Sequence, residues 1–153
     1  FEMDADLSHN PMDIKRILEP ILEKNYDISI GSRYINGINV VNWPLSRIIL
    51  SYTASLFVQV ITKMNIKDPT SGYICYKKSV LESIDLDNIK FTGYAFQIEM
   101  KYKSYLKNFK ISEVPIIFTD RVNGVSKLNG SIISEAIFGV IGMRIKKIFN
   151  IKF

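Results

Sequence analysis

The sequence predicts an α/β layer fold on three observations. Short apolar runs alternate with longer segments whose apolar residues recur at helical spacing. Polar turns such as KDPTSG separate them. The 153 residues suffice for one domain with its own core, and a composition that is 47% hydrophobic and 23% charged is that of a folded chain.

Phe1 to Met3 read as the end of a buried strand. Asn10 followed by Pro11 marks a helix start, with a capping side chain before a ring suited to the first helical position. Ile14, Ile17, Leu18, Ile21 and Leu22 continue that helix, and Pro20 is expected to kink it or end it early. Asp27 to Tyr34 form a short strand running into a polar turn, and INGINVVN is a loop. Residues 43–64 form a long apolar helix whose uncharged stretch, between Arg47 and Lys63, covers roughly fifteen residues, short of the ~20 that span a bilayer. Tyr73 to Tyr76 read as a strand, Lys78 to Ile84 as a short helix and Tyr94 to Leu106 as a longer one. Lys110 to Phe118 is a strand that Pro115 assigns to an edge or a bulge. A charged loop, TDRVNGVSKL, leads to a closing helix, Ser131 to Phe149, apolar first and then basic.

The formal charge of +5 and a pI near 9.2 suit an acidic partner: phosphate groups, an anionic membrane surface or nucleic acid. No helix-turn-helix, zinc-finger or RNA-recognition pattern supports nucleic acid. The single Cys75 excludes a disulfide framework or cysteine-rich zinc site, and the single His9 argues against a histidine-ligated metal. The first residues are acidic and show no signal-peptide pattern. Residue 1 falls inside an apolar segment, so the chain reads as a piece of a longer protein with its front removed.

Asp4 and Asp6 stand two apart in MDADLSHNP. If strand geometry persists, both carboxylates share one face and repel unless a cation lies between them. Hard divalent ions accept such oxygen ligands and complete their shell with water or substrate phosphate. A calcium loop counted from Asp4 fails, because His9 and Lys15 hold the places of the required Gly and Glu. The remaining alternative is that the carboxylates favour the N-terminus of the next helix. Arg33 follows a strand, Arg47 opens the long helix, and Arg121 and Lys127 lie in the late loop. Loops at strand ends are where open α/β sheets bind ligands, although each cation taken singly also fits a solvated surface. The terminal helix carries Arg144, Lys146, Lys147 and Lys152 after its apolar part. It suits either the membrane interface or packing on the sheet with a solvated basic end.

In order, MDADLSHNP, DISIGSRY, WPLSRIILS, DPTSGYICYKKSVLE, GYAFQIEMKYK and EVPIIFTDRVNGVSKL resemble the dolichyl-phosphate (polyprenol monophosphate) mannosyltransferases. These are inverting glycosyltransferases of family 2 with the GT-A, Rossmann-like fold. The resemblance runs from Glu2 to about Leu128. It implies transfer of mannose from GDP-mannose to dolichyl or polyprenyl phosphate, giving the lipid-linked donor for protein glycosylation and GPI-anchor pathways. Asp4 and Asp6 would hold Mg²⁺ or Mn²⁺ against the donor diphosphate, with Ala5 approaching the nucleotide through its backbone. Ser8 stands where some members place a Gln in the metal shell; being shorter, it leaves room for a water. Arg33, Arg121 and Lys127 fall on positions that contact GDP-mannose, and Arg47 and Ser51 fall where the acceptor phosphate is held. Asp6, Arg121 and Lys127 are the expected catalytic set. Asp68 and Glu99 are candidates for shaping the acceptor pocket, or else a turn carboxylate and a helix-surface carboxylate. A phosphate monoester, with a second pKa near ~6, is already a dianion at neutral pH, so no general base is named.

The resemblance further implies residues 1–128 as the second half of a GT-A catalytic domain, including interface helix 43–64, and 129–153 as a basic amphipathic interface helix. The fold is therefore expected to be N-terminally incomplete, and the residues alone inactive and poorly folded. The expected location is a membrane surface, the cytosolic face of the endoplasmic reticulum or a prokaryotic cytoplasmic membrane. Some members carry later transmembrane segments and others rely on small membrane subunits. Rival readings are a polyprenyl-phosphate glucosyl- or N-acetylhexosaminyltransferase and a non-catalytic membrane-surface fragment.

Overall fold

The computed structural model describes residues 1–120, 130–149 and 151. A 3-10 turn (Pro11–Asp13) leads into α1 (Ile14–Glu23), followed by β1 (Ile28–Ser32), β2 (Val40–Val41) and α2 (Leu45–Thr62). Next come β3 (Ile74–Tyr76), α3 (Lys78–Ser83), a 3-10 turn (Leu86–Asn88) and α4 (Gly93–Leu106). β4 (Ile111–Pro115), β5 (Phe118–Thr119) and α5 (Gly130–Ile148) complete the order.

β1 is the middle strand of a three-stranded sheet, antiparallel to β3 and parallel to β4, with Ile30 opposite Ile74 and Glu113. All five β1 residues are buried, as expected for a strand covered on both faces. The two-residue period sorts the side chains. Ile28, Ile30 and Ile74 join Val58, Ile98, Met100, Tyr102 and Val140 in one core, while Tyr73 and Cys75 join Ile17 and Ile116 under α1. Gly31 permits that second contact, since a Cβ there would lie 3.1 Å from both Ile17 and Ile116. Glu2 adds one antiparallel bridge to Ile74, placing the first residues along the outer side of β3.

The helix start at Asn10–Pro11 is as expected: Asn10 Oδ1 accepts the Met12 amide at 3.0 Å. Pro20 does not end α1. The helix continues to Glu23, because a proline this near the C-terminus removes a single hydrogen bond, and its own carbonyl accepts the Lys24 and Tyr26 amides. The expected loop at 35–42 contains β2, which pairs in parallel with β5, and the expected strand 110–118 is split into β4 and β5. Pro115 ends β4, an edge strand of its sheet.

α2 occupies Leu45–Thr62 rather than 43–64, and Ser55, Val58 and Thr62 are its buried residues. By length and composition it is apolar and long enough to cross a membrane, a revision of the sequence expectation. α5 packs on α4 and α2. Gly139 admits Phe91, whose ring would lie 2.8 Å from a Cβ.

Candidate active site

A cavity of about 410 Å³ lies between the residues before α1, the ends of β1 and β3, and helices α2, α4 and α5. Asp4, His9, Arg33, Arg47, Ser51 and Thr70 make one part of its wall polar. Phe57, Val58, Ile98 and Val140, members of the larger apolar core or packed on it, make another part apolar.

The Asp-x-Asp segment is not a strand. The chain bends at residues 5–7, and Leu7 takes a left-handed φ of 66°, so the same-face geometry expected of Asp4 and Asp6 does not hold. Asp4 lines the cavity with an exposed side chain. Asp6 Oδ1 accepts both the Ser8 amide, at 3.1 Å, and the Ser8 hydroxyl. Ser8 is buried and orients Asp6. Asp6, Ser8 and the exposed Ala5 do not line the cavity.

His9 supports Asp4. Its Nδ1 accepts the Asp4 amide at 3.1 Å, and its ring stacks on Tyr73 and meets Phe118 edge-on. Burial lowers its pKa against the opposing charge of Asp4, which agrees with an Nδ1 that carries a lone pair rather than a proton.

Arg33 is buried, unlike the loop cation its sequence context suggests. Its Nε and Nη2 donate to the two oxygens of Asp68 at 2.7 and 2.6 Å, and Nη2 also donates to Thr70 Oγ1 at 2.8 Å. The Arg33 amide adds a bond to Asp68 at 2.9 Å. Burial would push the Asp68 carboxyl up, but the Arg33 guanidinium prevails and holds it below the usual carboxylate range. Asp68 is thus the partner of Arg33. Glu99, the other acceptor-pocket candidate, lies elsewhere: it accepts the Lys90 and Phe91 amides and pairs with Lys103 at 3.0 Å, away from the cavity wall.

Arg47 and Ser51 are one helical turn apart on α2, so they share a face, and both line the cavity. The Arg47 guanidinium lies 4.0 Å from the Trp43 ring centroid and donates to Asp120 Oδ1 at 2.7 Å. Ser51 Oγ accepts the Tyr34 hydroxyl at 2.8 Å. Trp43 also lines the cavity, and its buried indole N–H has no partner among the described residues, which leaves a donor for a ligand. Arg121 and Lys127 lie outside the described residues.

Sequence reasoning missed His9, Trp43, Tyr34 and Thr70 as parts of the wall. His9 and Trp43 sit inside MDADLSHNP and NWPLSR, beside residues that were singled out, and that proximity was the available signal. Tyr34 and Thr70 likewise stand beside Arg33 in GSRY and near Asp68 in DPTSG.

Among the described residues no three His, Cys, Asp or Glu gather into a ready-made metal cage. The donors present are nevertheless carboxylate oxygens, one of them at an accessible cavity wall. Carboxylate oxygen is the donor type a hard divalent ion takes, with the rest of its shell drawn from substrate phosphate and water.

Mixed α/β layers with Asp4 on the wall of such a cavity agree with a glycosyltransferase domain of the GT-A type, the fold implied by the family match. The chain belongs to glycosyl transferase family 2, whose family model matches residues 1–85. It is 45% identical over 139 residues to the polyprenol monophosphomannose synthase of Mycolicibacterium smegmatis, covering 91% of this chain and 52% of that protein. It is 42% identical over 139 residues to the undecaprenyl-phosphate mannosyltransferase of Micrococcus luteus, covering 91% of this chain and 56% of that protein. The chain therefore spans about half the length of the curated relatives it matches.

Proposed function

We propose that this chain is part of a polyprenyl-phosphate mannosyltransferase that moves mannose from GDP-mannose to the phosphate of dolichol or another polyprenol, with inversion. The observation that carries this reading is the divided wall of a single cavity. A polyprenyl phosphate is a small anion on a long apolar chain. The cavity offers Arg47, Ser51 and Trp43 at one part and Phe57, Ile98 and Val140 at another. The names of the two relatives support the same substrate class.

Asp4 and Asp6 would hold Mg²⁺ or Mn²⁺, which when bound supplies positive charge to the departing nucleotide diphosphate. Ser8 keeps Asp6 oriented, and His9 keeps the Asp4 backbone in place. Ala5 offers its backbone to the nucleotide. Arg33 is fixed by Asp68 before substrate arrives, so it needs no reorganisation as charge develops. Arg121 and Lys127 are assigned to the donor phosphates. Arg47, sandwiched between Trp43 and Asp120, and Ser51, fixed by Tyr34, hold the acceptor phosphate. That phosphate attacks as a dianion and needs no base.

Residues 1–128 would form the catalytic part and 129–153, which include α5, a basic segment that works at the membrane surface, with small membrane subunits as further partners. Leu45, Ile49, Leu56 and Val60 of α2, and Phe138, Ile145 and Ile148 of α5, are exposed. Arg144, Lys146 and Lys147 adjoin the α5 set, a pattern that suits an anionic bilayer. Arg47–Asp120 and Tyr34–Ser51 tie the start of α2 to the catalytic part, which favours a helix lying on the membrane over one that crosses it.

The test is an assay of the full-length protein with labelled GDP-mannose, undecaprenyl or dolichyl phosphate, and Mg²⁺ or Mn²⁺. The expected product is a β-linked lipid-phosphate mannose. Preference for UDP-glucose or UDP-N-acetylhexosamine in competition would replace the mannose reading.

A further inference from the structure

Lys101 lies in α4 with no solvent exposure, although KYK in the sequence looks like an ordinary charged helix face. Its Nζ donates to the Ser71 carbonyl at 2.7 Å and to the Gln97 carbonyl at 3.3 Å. Ser71 and Gly72 line the cavity, and the Ser71 hydroxyl donates to the Gly31 carbonyl at 2.6 Å. The same turn carries Asp68 and Thr70, the partners of Arg33. A Cβ on Gly72 would lie 3.8 Å from Asp4 Oδ1, so the turn that Lys101 holds directly abuts the Asp-x-Asp.

The charges around Lys101 come from several elements. Asp68 and Arg33 face it from the turn and the end of β1, Glu2 from the segment outside β3, and Glu113 from β4. Glu2 accepts from the Gln97 amide, and Glu113 accepts the Lys67 and Asp68 amides. Arg33 offsets Asp68, so the Lys101 ammonium is set against Glu2 and Glu113. Without its proton, the ground beneath the cavity turns more negative.

We infer that Lys101 is a positioning residue for the phosphate-bearing substrate, fastening the Ser71–Gly72 floor of the cavity from below and supplying charge that favours an anion above it. This rests on the proposed function. Burial pulls the Lys101 pKa down to about 7, with Asp68 and Glu2 raising it and Arg33 lowering it further. A bound anion stabilises the ammonium, and by reciprocity the ammonium strengthens anion binding. Binding therefore weakens as pH rises through the Lys101 pKa.

The experiment is calorimetric titration of the full-length protein with farnesyl phosphate in the presence of Mg²⁺, near pH ~6.5 and ~8.5. Wild type, Lys101→Arg and Lys101→Met are compared. The wild-type Kd should rise about fivefold with pH, at the low end of coupling between sites. Lys101→Arg should keep tight binding at both pH values, and Lys101→Met should bind weakly at both. Wild-type affinity and pH dependence in Lys101→Met would overturn the inference, as would an undiminished pH effect in Lys101→Arg. Circular dichroism checks folding; if the arginine variant does not fold, the methionine variant against wild type decides. Wild type that binds no farnesyl phosphate at either pH would instead remove the functional reading, and this inference with it.

Discussion

The ground beneath the cavity and the outer faces of α2 and α5 invert the usual placement of residues. Beneath the cavity, Arg33, Asp68 and Lys101 are buried, each with hydrogen-bonded partners. On the helices, Leu45, Val60 and Phe138 are 70%, 73% and 74% exposed. Buried charges need partners and exposed apolar patches need cover. The first region meets its need internally, through the turn at 68–72. The second does not meet it among the described residues. On the proposed function, the chemistry and the membrane would meet different parts of the chain.

The largest expected effect comes from breaking the buried region. Asp68→Ala strands the Arg33 guanidinium and should lower stability by about 3–5 kcal/mol, read by denaturant unfolding. Arg47→Ala should lower kcat/KM for polyprenyl phosphate by about 10²-fold while leaving the KM for GDP-mannose nearly unchanged. The exposed region is tested by Val60→Glu with Phe138→Glu. Binding to anionic vesicles should weaken about tenfold or more, with stability changed by under ~0.5 kcal/mol per site.

The last effect concerns pH. Lys101 has its pKa lowered from 10.5 to about 7 in the folded protein, so between those values the unfolded chain binds more protons. Stability from this group therefore increases as pH rises across that window, by at most about 1.4 kcal/mol per pH unit, and has no slope below it. Lys101→Met should remove the rise, as measured by chemical unfolding at pH values across the window.

Much of this arrangement was legible in the sequence because it is local. Asn10–Pro11 announced α1, and the apolar run after Trp43 announced α2 to within two residues at each end. Asp4 and Asp6 stood out by their spacing and Arg47 by its place at the head of a helix, whereas Ser51 was singled out only through the resemblance to the mannosyltransferases. What escaped depends on distant partners. β2 is two residues long and pairs with β5 across a separation that no local pattern encodes. The Arg33–Asp68 pair joins residues 35 apart, so DPTSG showed a turn and a candidate pocket carboxylate but not the partner of Asp68. Lys101 carried no sequence signal, because a helix face shows its neighbour only once the turn at 68–72 is folded against it. The strand geometry assumed for Asp4 and Asp6 failed at Leu7, whose left-handed φ is unusual for leucine and has no sequence signature.

The central claim is that the Asp-x-Asp serves mannosyl transfer to a lipid phosphate. The most direct measurement is transfer of labelled mannose from GDP-mannose to undecaprenyl phosphate by the full-length protein and by its Asp6→Ala variant, with folding matched by circular dichroism. The account predicts activity in the first and a loss of about 10³-fold in the second. Equal transfer by both would contradict it.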